Sequence, residues 1–265
     1  MDSSLQKKYG RLQNNIARLG SAAVAFSGGV DSTLLLKTAC DVLGDKTIAM
    51  LGKSPFQIPS ELDEAICVAE NIGCRVEVVD FDLASDDEFC ENKADRCYYC
   101  KKLIYTAFLQ KIAQFACSFL MDGTNLDDTL KDRPGARAID ELNVETPLKD
   151  SLLTKKDIRL ISKELGLSTW NKYSASCMAT RILTDKRLNL SDVAIAAEIE
   201  EKLNQKGFLG SRLKIGNNCA ILSLIQGDHA RFITSGTWER IKKILKTKGF
   251  DKVFLDLSER EGILT

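Results

Sequence analysis

The chain has 265 residues, enough to bury one full core and part of another, so a main domain with a smaller appended one is expected. Its 37 Lys and Arg balance its 37 Asp and Glu, which removes the broad positive field that a nucleic-acid binder uses to gather phosphates. The first thirty residues hold no apolar run fit for a signal peptide, and nowhere do about 18 apolar residues run together as a membrane span needs.

A cytoplasmic protein without a membrane partner is therefore expected. In that reducing compartment the nine cysteines, an odd number, read as core fillers, metal ligands or reactive thiols rather than a disulfide framework.

Leu5, Leu12, Ile16 and Leu19 recur at helical spacing until Gly20 stops the run. The apolar stretch 22–26 then predicts a buried strand, followed by a helix over 32–42, a strand over 47–51, a helix over 60–72 and a strand over 75–79. A long helix over 97–115 leads to another buried strand, 118–121, which runs into Asp122, Gly123, Thr124 and Asn125. Strands alternating with helices predict an α/β fold, a parallel sheet with helices on both faces. Ligands of such sheets bind at the carboxyl ends of the strands, so a nucleotide would sit at the loops after Phe26, Leu51 and Met121.

Beyond about Thr180 the pattern changes to a helix over 191–206, short strands over 212–215 and 220–224, a helix over 238–246 and a last strand over 253–257. This predicts a smaller C-terminal α+β domain, with the division at 1–180 and 181–265.

Ser27, Gly28, Gly29, Val30, Asp31 and Ser32 join the first predicted strand to its helix. Two glycines there let backbone amides converge on an anion at the positive end of the helix, a phosphate cradle rather than a plain tight turn. The loop lacks the Lys that a Walker A sequence places before its Ser or Thr, which disfavours that class of nucleotide enzyme. Asp31 suits a helix N-terminus and equally suits holding the magnesium of a bound ATP.

The string SGGVDS resembles the PP-loop signature of the adenine-nucleotide pyrophosphatase superfamily, with its HUP-like parallel sheet. Those enzymes cleave ATP to AMP and pyrophosphate while passing AMP to an acceptor oxygen. The resemblance implies ATP and Mg2+ as cofactors. It implies ATP binding by Ala25, Phe26, Ser27, Gly28, Gly29, Asp31 and Ser32, with Met50 and with Gly123, Thr124 and Asn125.

A closer likeness runs through Gly123 to Asp128, then Asp132, Arg133, Pro134, Gly135, then Pro147, Leu148, then Lys156, Asp157, Ile158, Arg159, and finally Ser174, Ala175, Ser176, Cys177, Met178, Ala179, Thr180, Arg181. Together these resemble the LarE family over most of residues 5–182. LarE proteins are sulfur transferases that make the dithio form of a pyridinium dicarboxylate mononucleotide, the precursor of the nickel-pincer cofactor. Ser223, where a carboxylate is expected, and the tail 259–265 depart from the family, and the first departure touches the substrate side.

The chemistry implied is adenylation of a carboxylate followed by attack of sulfur on the acyl-adenylate, since a carboxylate alone has only oxide to expel. Cys177 aligns with the sulfur-donating position, and nearby Lys172 and Arg181 would favour its thiolate. In the sacrificial form of this chemistry the cysteine loses its sulfur by β-elimination. Cys97 and Cys100, a CxxC at a helix start, add two thiols to Cys177. Three cysteines can hold three irons of a [4Fe–4S] cluster and leave the fourth open to a hydrosulfide, as in a subset of LarE-like proteins and in some PP-loop tRNA thiolases.

Structural zinc is the competing use, but it wants a fourth ligand, and the sole histidine is the distant His229. Cys40, Cys67, Cys74, Cys90, Cys117 and Cys219 lie in or beside apolar segments and read as core residues. Arg181, Arg212 and Lys214 suit the phosphate of the mononucleotide, the last two standing where the family has a basic pair.

By resemblance the smaller domain contributes to substrate binding and to a homo-oligomer, a trimer or larger ring. The alternatives are a tRNA thiolase, which would need a basic face, an amide-forming ligase, which would not need Cys177, and a protein that holds AMP without turnover.

Overall fold

The computed structural model describes residues 1–260 apart from Ala116, 131–133 and 173–175. Of the motif residues above, Asp132, Arg133, Ser174 and Ala175 lie outside the described residues, as does most of the divergent tail. The chain forms two compact units, Met1–Asp82 with Asp95–Lys172, and Leu83–Ala94 with Tyr173–Leu264.

In chain order the elements begin with α1 (Ser3–Ala17), β1 (Ala22–Ala25), α2 (Val30–Leu43), β2 (Thr47–Lys53), α3 (Pro59–Ile72) and β3 (Arg75–Asp80). They continue with α4 (Asp87–Cys90), α5 (Arg96–Ile112), β4 (Phe119–Met121), α6 (Pro134–Glu141), α7 (Pro147–Asp150) and α8 (Lys155–Glu164). The C-terminal set is α9 (Leu190–Gln205), β5 (Arg212–Ile215), β6 (Cys219–Ile225), α10 (Asp228–Thr234), α11 (Thr237–Thr247) and β7 (Lys252–Arg260).

In the first unit four parallel strands run in the order β3-β2-β1-β4. The α/β parallel sheet expected from the alternation is present. Alternate strand residues Ala22, Val24, Ala49, Leu51 and Met121 share one core with Leu12 and Ile16 of α1, Leu34 to Leu36 of α2, Leu62 and Ala65 of α3, and Ile158 and Ile161 of α8. The intervening residues face α5, where a Cβ on Gly52 would lie 3.8 Å from the Phe108 ring and 3.3 Å from Phe81. Burial on both faces explains why β1 is an unbroken apolar Ala-Ala-Val-Ala rather than an alternating strand.

The second unit carries a three-stranded sheet in the order β5-β6-β7, antiparallel across the first pair and parallel across the second. Leu213, Ile215, Ala220, Leu222 and Leu224 are buried, as are Ile199, Leu203, Phe232, Ile241 and Leu245 of the helices. Asn92, wholly buried, donates Nδ2 to the carbonyls of Leu183 at 2.9 Å and Lys186 at 2.8 Å, which ties the segment Leu83–Ala94 into this unit. Helix α10, absent from the sequence reading, follows Gly227, whose φ of +87° turns the chain out of β6. Among the described residues no helix is long and apolar enough to cross a membrane.

Candidate nucleotide site and thiols

Strand β1 stops at Ala25, and the amide of Phe26 extends its pairing by donating to the Met50 carbonyl at 2.9 Å. Phe26 and Met50 are buried, so they form the apolar floor from which the loop leaves the sheet. Gly28 then takes a φ of +68°, in the left-handed region. A Cβ there would stand 2.8 Å from the Cβ of Ala65 and 3.1 Å from its Cα, so α3 closes directly over the turn.

Gly29 is extended and opens α2, accepting from Thr33 N at 2.9 Å. Ser32 braces the loop: its hydroxyl donates to the Gly29 carbonyl at 3.2 Å, accepts from Ser27 N at 3.3 Å and lies 3.2 Å from Ser27 Oγ. The first amides of α2 have no intrahelical acceptor and stand at its positive end. Gly28→Ala is expected to cost at least about 1–2 kcal/mol from the left-handed backbone alone. Thermal unfolding with and without ATP would measure it, and an unchanged midpoint would contradict the close packing on Ala65.

The strand order reverses between β1 and β4, so the loops after these two strands meet at the switch point where open α/β sheets bind ligands. A Cβ on Gly123 would come within 3.2 Å of the Ser32 amide and 3.4 Å of the Asp31 Cβ, an approach that only glycine permits without a shift. Asn125 is buried, and its Nδ2 reaches Asp31 Oδ1 at 3.5 Å.

Asp122, also buried, holds this second loop in place. Its Oδ1 accepts the Thr124 amide at 2.8 Å and the Thr124 hydroxyl, and its Oδ2 accepts Lys101 Nζ at 3.1 Å and the Tyr105 hydroxyl. Burial works to raise the carboxyl pKa, but the Lys101 charge with the bonds from Thr124, Tyr105 and Lys101 outweighs it and holds Asp122 below the ordinary carboxylate range. Stability from this group is therefore present above the unfolded carboxylate pKa and lost as pH falls through the depressed folded value. Asp122→Asn is expected to cost about 3 kcal/mol, the low end for a broken buried pair, because the Lys101 left without its anion is only half-buried. Urea unfolding at neutral and acid pH checks both the loss and the shallower acid slope of the variant.

Asp31, in the first turn of α2, receives Lys155 Nζ on its Oδ2. Burial pushes its pKa up, Lys155 works against that, and the net direction is upward. Lys155 is the first residue of α8, whose start is fixed by a reciprocal cap between Thr154 and Asp157. Its own amide donates to Asp127 Oδ2 at 2.7 Å. The sequence reading missed Lys155, Asp122, Lys101 and Tyr105 as neighbours of this loop pair. One signal was available: the Thr154 to Asp157 capping pattern puts Lys155 at the end of a helix where a cation is disfavoured.

Cys97 is exposed and Cys100 half-buried, one turn apart on one face at the start of α5. Both belong to the first unit, and Cys177, exposed, to the second. Among the described residues no three His, Cys, Asp or Glu side chains are gathered as a metal site. The Cys177 carbonyl accepts Thr180 N at 2.9 Å and Thr180 Oγ1 at 2.7 Å, closing a single turn.

Arg181 is buried, with Nε and Nη2 on the two oxygens of Glu200 at 2.6 and 2.8 Å and Nη1 on Ser176 Oγ at 2.6 Å. Its guanidinium is thus engaged in holding the residues either side of Cys177. Arg212 and Lys214 alternate along β5 and face the same side. Register aligns Arg212 with Ser223 and Ser223 with Asp256, and the Ser223 hydroxyl donates to Asp256 Oδ2 at 3.0 Å. A carboxylate thus stands one strand away from the position where the family likeness led one to expect it.

Lys172 pairs with Glu64 at 3.0 Å within the first unit. His229 Nε2 lies 3.0 Å from the Asp256 carbonyl. Of the cysteines read as core, Cys74, Cys90 and Cys117 are buried and Cys40 and Cys219 half-buried. Cys67 is a correction, because it lies on the exposed side of α3.

The chain is 32% identical over 256 residues to pyridinium-3,5-bisthiocarboxylic acid mononucleotide synthase of Lactiplantibacillus plantarum, covering 96% of this chain and 92% of the relative. It belongs to the LarE family. Two uncharacterised proteins, from Synechocystis sp. and Methanocaldococcus jannaschii, are each 30% identical over 96% and 95% of the LarE-family chain. A glutamine-hydrolyzing GMP synthase of Sulfurisphaera tokodaii is 25% identical over 56% of it. No family model matches. Membership places the chain among the sulfur transferases of nickel-pincer cofactor synthesis, as the motif likeness implied.

Proposed function

We propose that this chain activates a carboxylate of a pyridinium dicarboxylate mononucleotide with ATP and replaces its oxygen by sulfur. The observation that carries the reading is the junction of Gly28, Asp31, Ser32, Gly123 and Asn125 at the switch point of the sheet. A carboxylate oxygen attacks the α-phosphorus of ATP, pyrophosphate leaves, and the acyl carbon becomes open to sulfur, with AMP carrying off the former carboxyl oxygen. The loop amides and the α2 terminus stabilise the departing pyrophosphate.

Asp31 is a hard oxygen donor beside that cradle and fits a magnesium ion, which would neutralise phosphate charge there. Arg212 and Lys214 on β5 would bind the phosphate of the mononucleotide. Arg181, proposed from sequence for the same task, instead fits a positioning role on the turn of Cys177 through Glu200. This assigns nucleotide chemistry to the first domain and the substrate phosphate, with homo-oligomer contacts, to the second, inside the cytoplasm.

Cys177 delivers the sulfur. The donor set of Cys97, Cys100 and Cys177 suits a [4Fe–4S] cluster, being three thiols with no nitrogen ligand, and such a cluster would supply an open iron for an external hydrosulfide. Anaerobic purification with iron and acid-labile sulfide analysis tests this, paired with protein mass after turnover. Iron and sulfide in equal amount and an unchanged protein mass are expected. Loss of one hydrogen sulfide from Cys177 in a metal-free chain would replace the cluster by sacrifice of the cysteine, and no ATP-dependent product at all would overturn the function.

A further inference from the structure

Lys155 stands where helix electrostatics disfavour it, at the first position of α8, beside the positive end of that helix. Its side chain crosses to a carboxylate 124 positions earlier in the sequence, Asp31, which itself opens α2. The pair is not a buried structural clamp, since the side chains are 34% and 22% exposed, and pairs of that kind contribute little to stability. Even with the ammonium in place, burial keeps the Asp31 carboxyl harder to ionise than usual. The other charges around Asp31 are Asp128, which opposes its ionisation, and Arg159, which favours it. Arg159 is held elsewhere, donating to the carbonyls of Trp170 at 2.7 Å and Lys172 at 3.1 Å. That leaves Lys155, an ammonium on a flexible four-carbon stem, as the cation that can change partner beside the loop.

We propose that Lys155 is a binding residue for the pyrophosphate end of ATP, holding Asp31 in the nucleotide-free protein and transferring to the β- and γ-phosphates when the nucleotide enters, which releases Asp31 to a divalent cation. The proposal rests on the ATP reading above and deepens it. AMP lacks the groups that Lys155 would bind, so the residue separates ATP from AMP. After pyrophosphate has left, its return to Asp31 replaces the departing cation and favours product release.

Calorimetric titration of ATP, AMP and inorganic pyrophosphate into wild type, Lys155→Met and Lys155→Gln, with magnesium present, tests it. Either substitution is expected to weaken ATP and pyrophosphate tenfold or more while AMP affinity changes less than twofold and the unfolding midpoint holds. Equal losses for ATP and AMP, or ATP binding as tight as wild type, would overturn the proposal while leaving the nucleotide reading intact. Wild type that binds neither ATP nor AMP would overturn the nucleotide reading and this proposal with it.

Discussion

Cys177→Ser is expected to abolish formation of the sulfur-containing product, by about a thousandfold or more, while pyrophosphate release from ATP continues. A hydroxyl at this position can neither donate sulfur nor ligate iron as a thiolate does. The main-chain turn would survive, because it is closed by the Cys177 carbonyl to Thr180 and by Arg181 through Ser176. Product quantified beside released pyrophosphate separates the two half-reactions. Cys97→Ser then distinguishes the sulfur routes, because a cluster-dependent enzyme loses activity with it and a sacrificial one does not. Loss of pyrophosphate release in Cys177→Ser would instead mean that the cysteine shapes the nucleotide site.

Asp31→Asn is expected to reduce adenylation by about a hundredfold or more, the scale seen when one preorganised charge or donor is removed from a transition state. Its effect on stability runs the other way. A carboxyl whose folded pKa is raised contributes stability that is present below the unfolded carboxylate pKa and lost as pH rises through the folded value. At neutral pH the ionised group is therefore a cost in the nucleotide-free protein, and a neutral amide of the same shape avoids it. The variant should unfold at a midpoint no lower than wild type at pH 7 and lose less stability between acid and neutral pH. A marked drop in midpoint would show that the pair with Lys155 is structural. This opposes the behaviour of Asp122, whose depressed pKa makes it a stabilising anion, so the two aspartates separate function from folding within one loop pair.

The phosphate loop was legible because its signal is local. Two glycines between an unbroken apolar strand and a helix mark the cradle without reference to the rest of the chain, and Gly28 is tied to its role by both backbone angle and the contact with Ala65. The parallel sheet was legible for a related reason, since strands buried on both faces read as short apolar runs between helices.

What escaped the reading depends on contacts distant in sequence. Lys101, Tyr105 and Asp122 converge only once α5 lies on the sheet beside β4, and Lys155 meets Asp31 only once α8 packs against α2. Asn92 draws Leu83–Ala94 into the second unit through carbonyls some ninety residues on, and nothing in that segment's own pattern announces the connection. Arg181 and Arg212 look alike as isolated cations, whereas Arg181 is buried against Glu200 from α9, a partner that sequence distance hid.

A carboxyl oxygen must leave with AMP if sulfur is to take its place. Turnover of a mononucleotide labelled with 18O in its carboxylates, followed by mass spectrometry of the released AMP, tests this most directly. One labelled oxygen in AMP is expected for each sulfur installed. Unlabelled AMP, or ADP in its place, would contradict it.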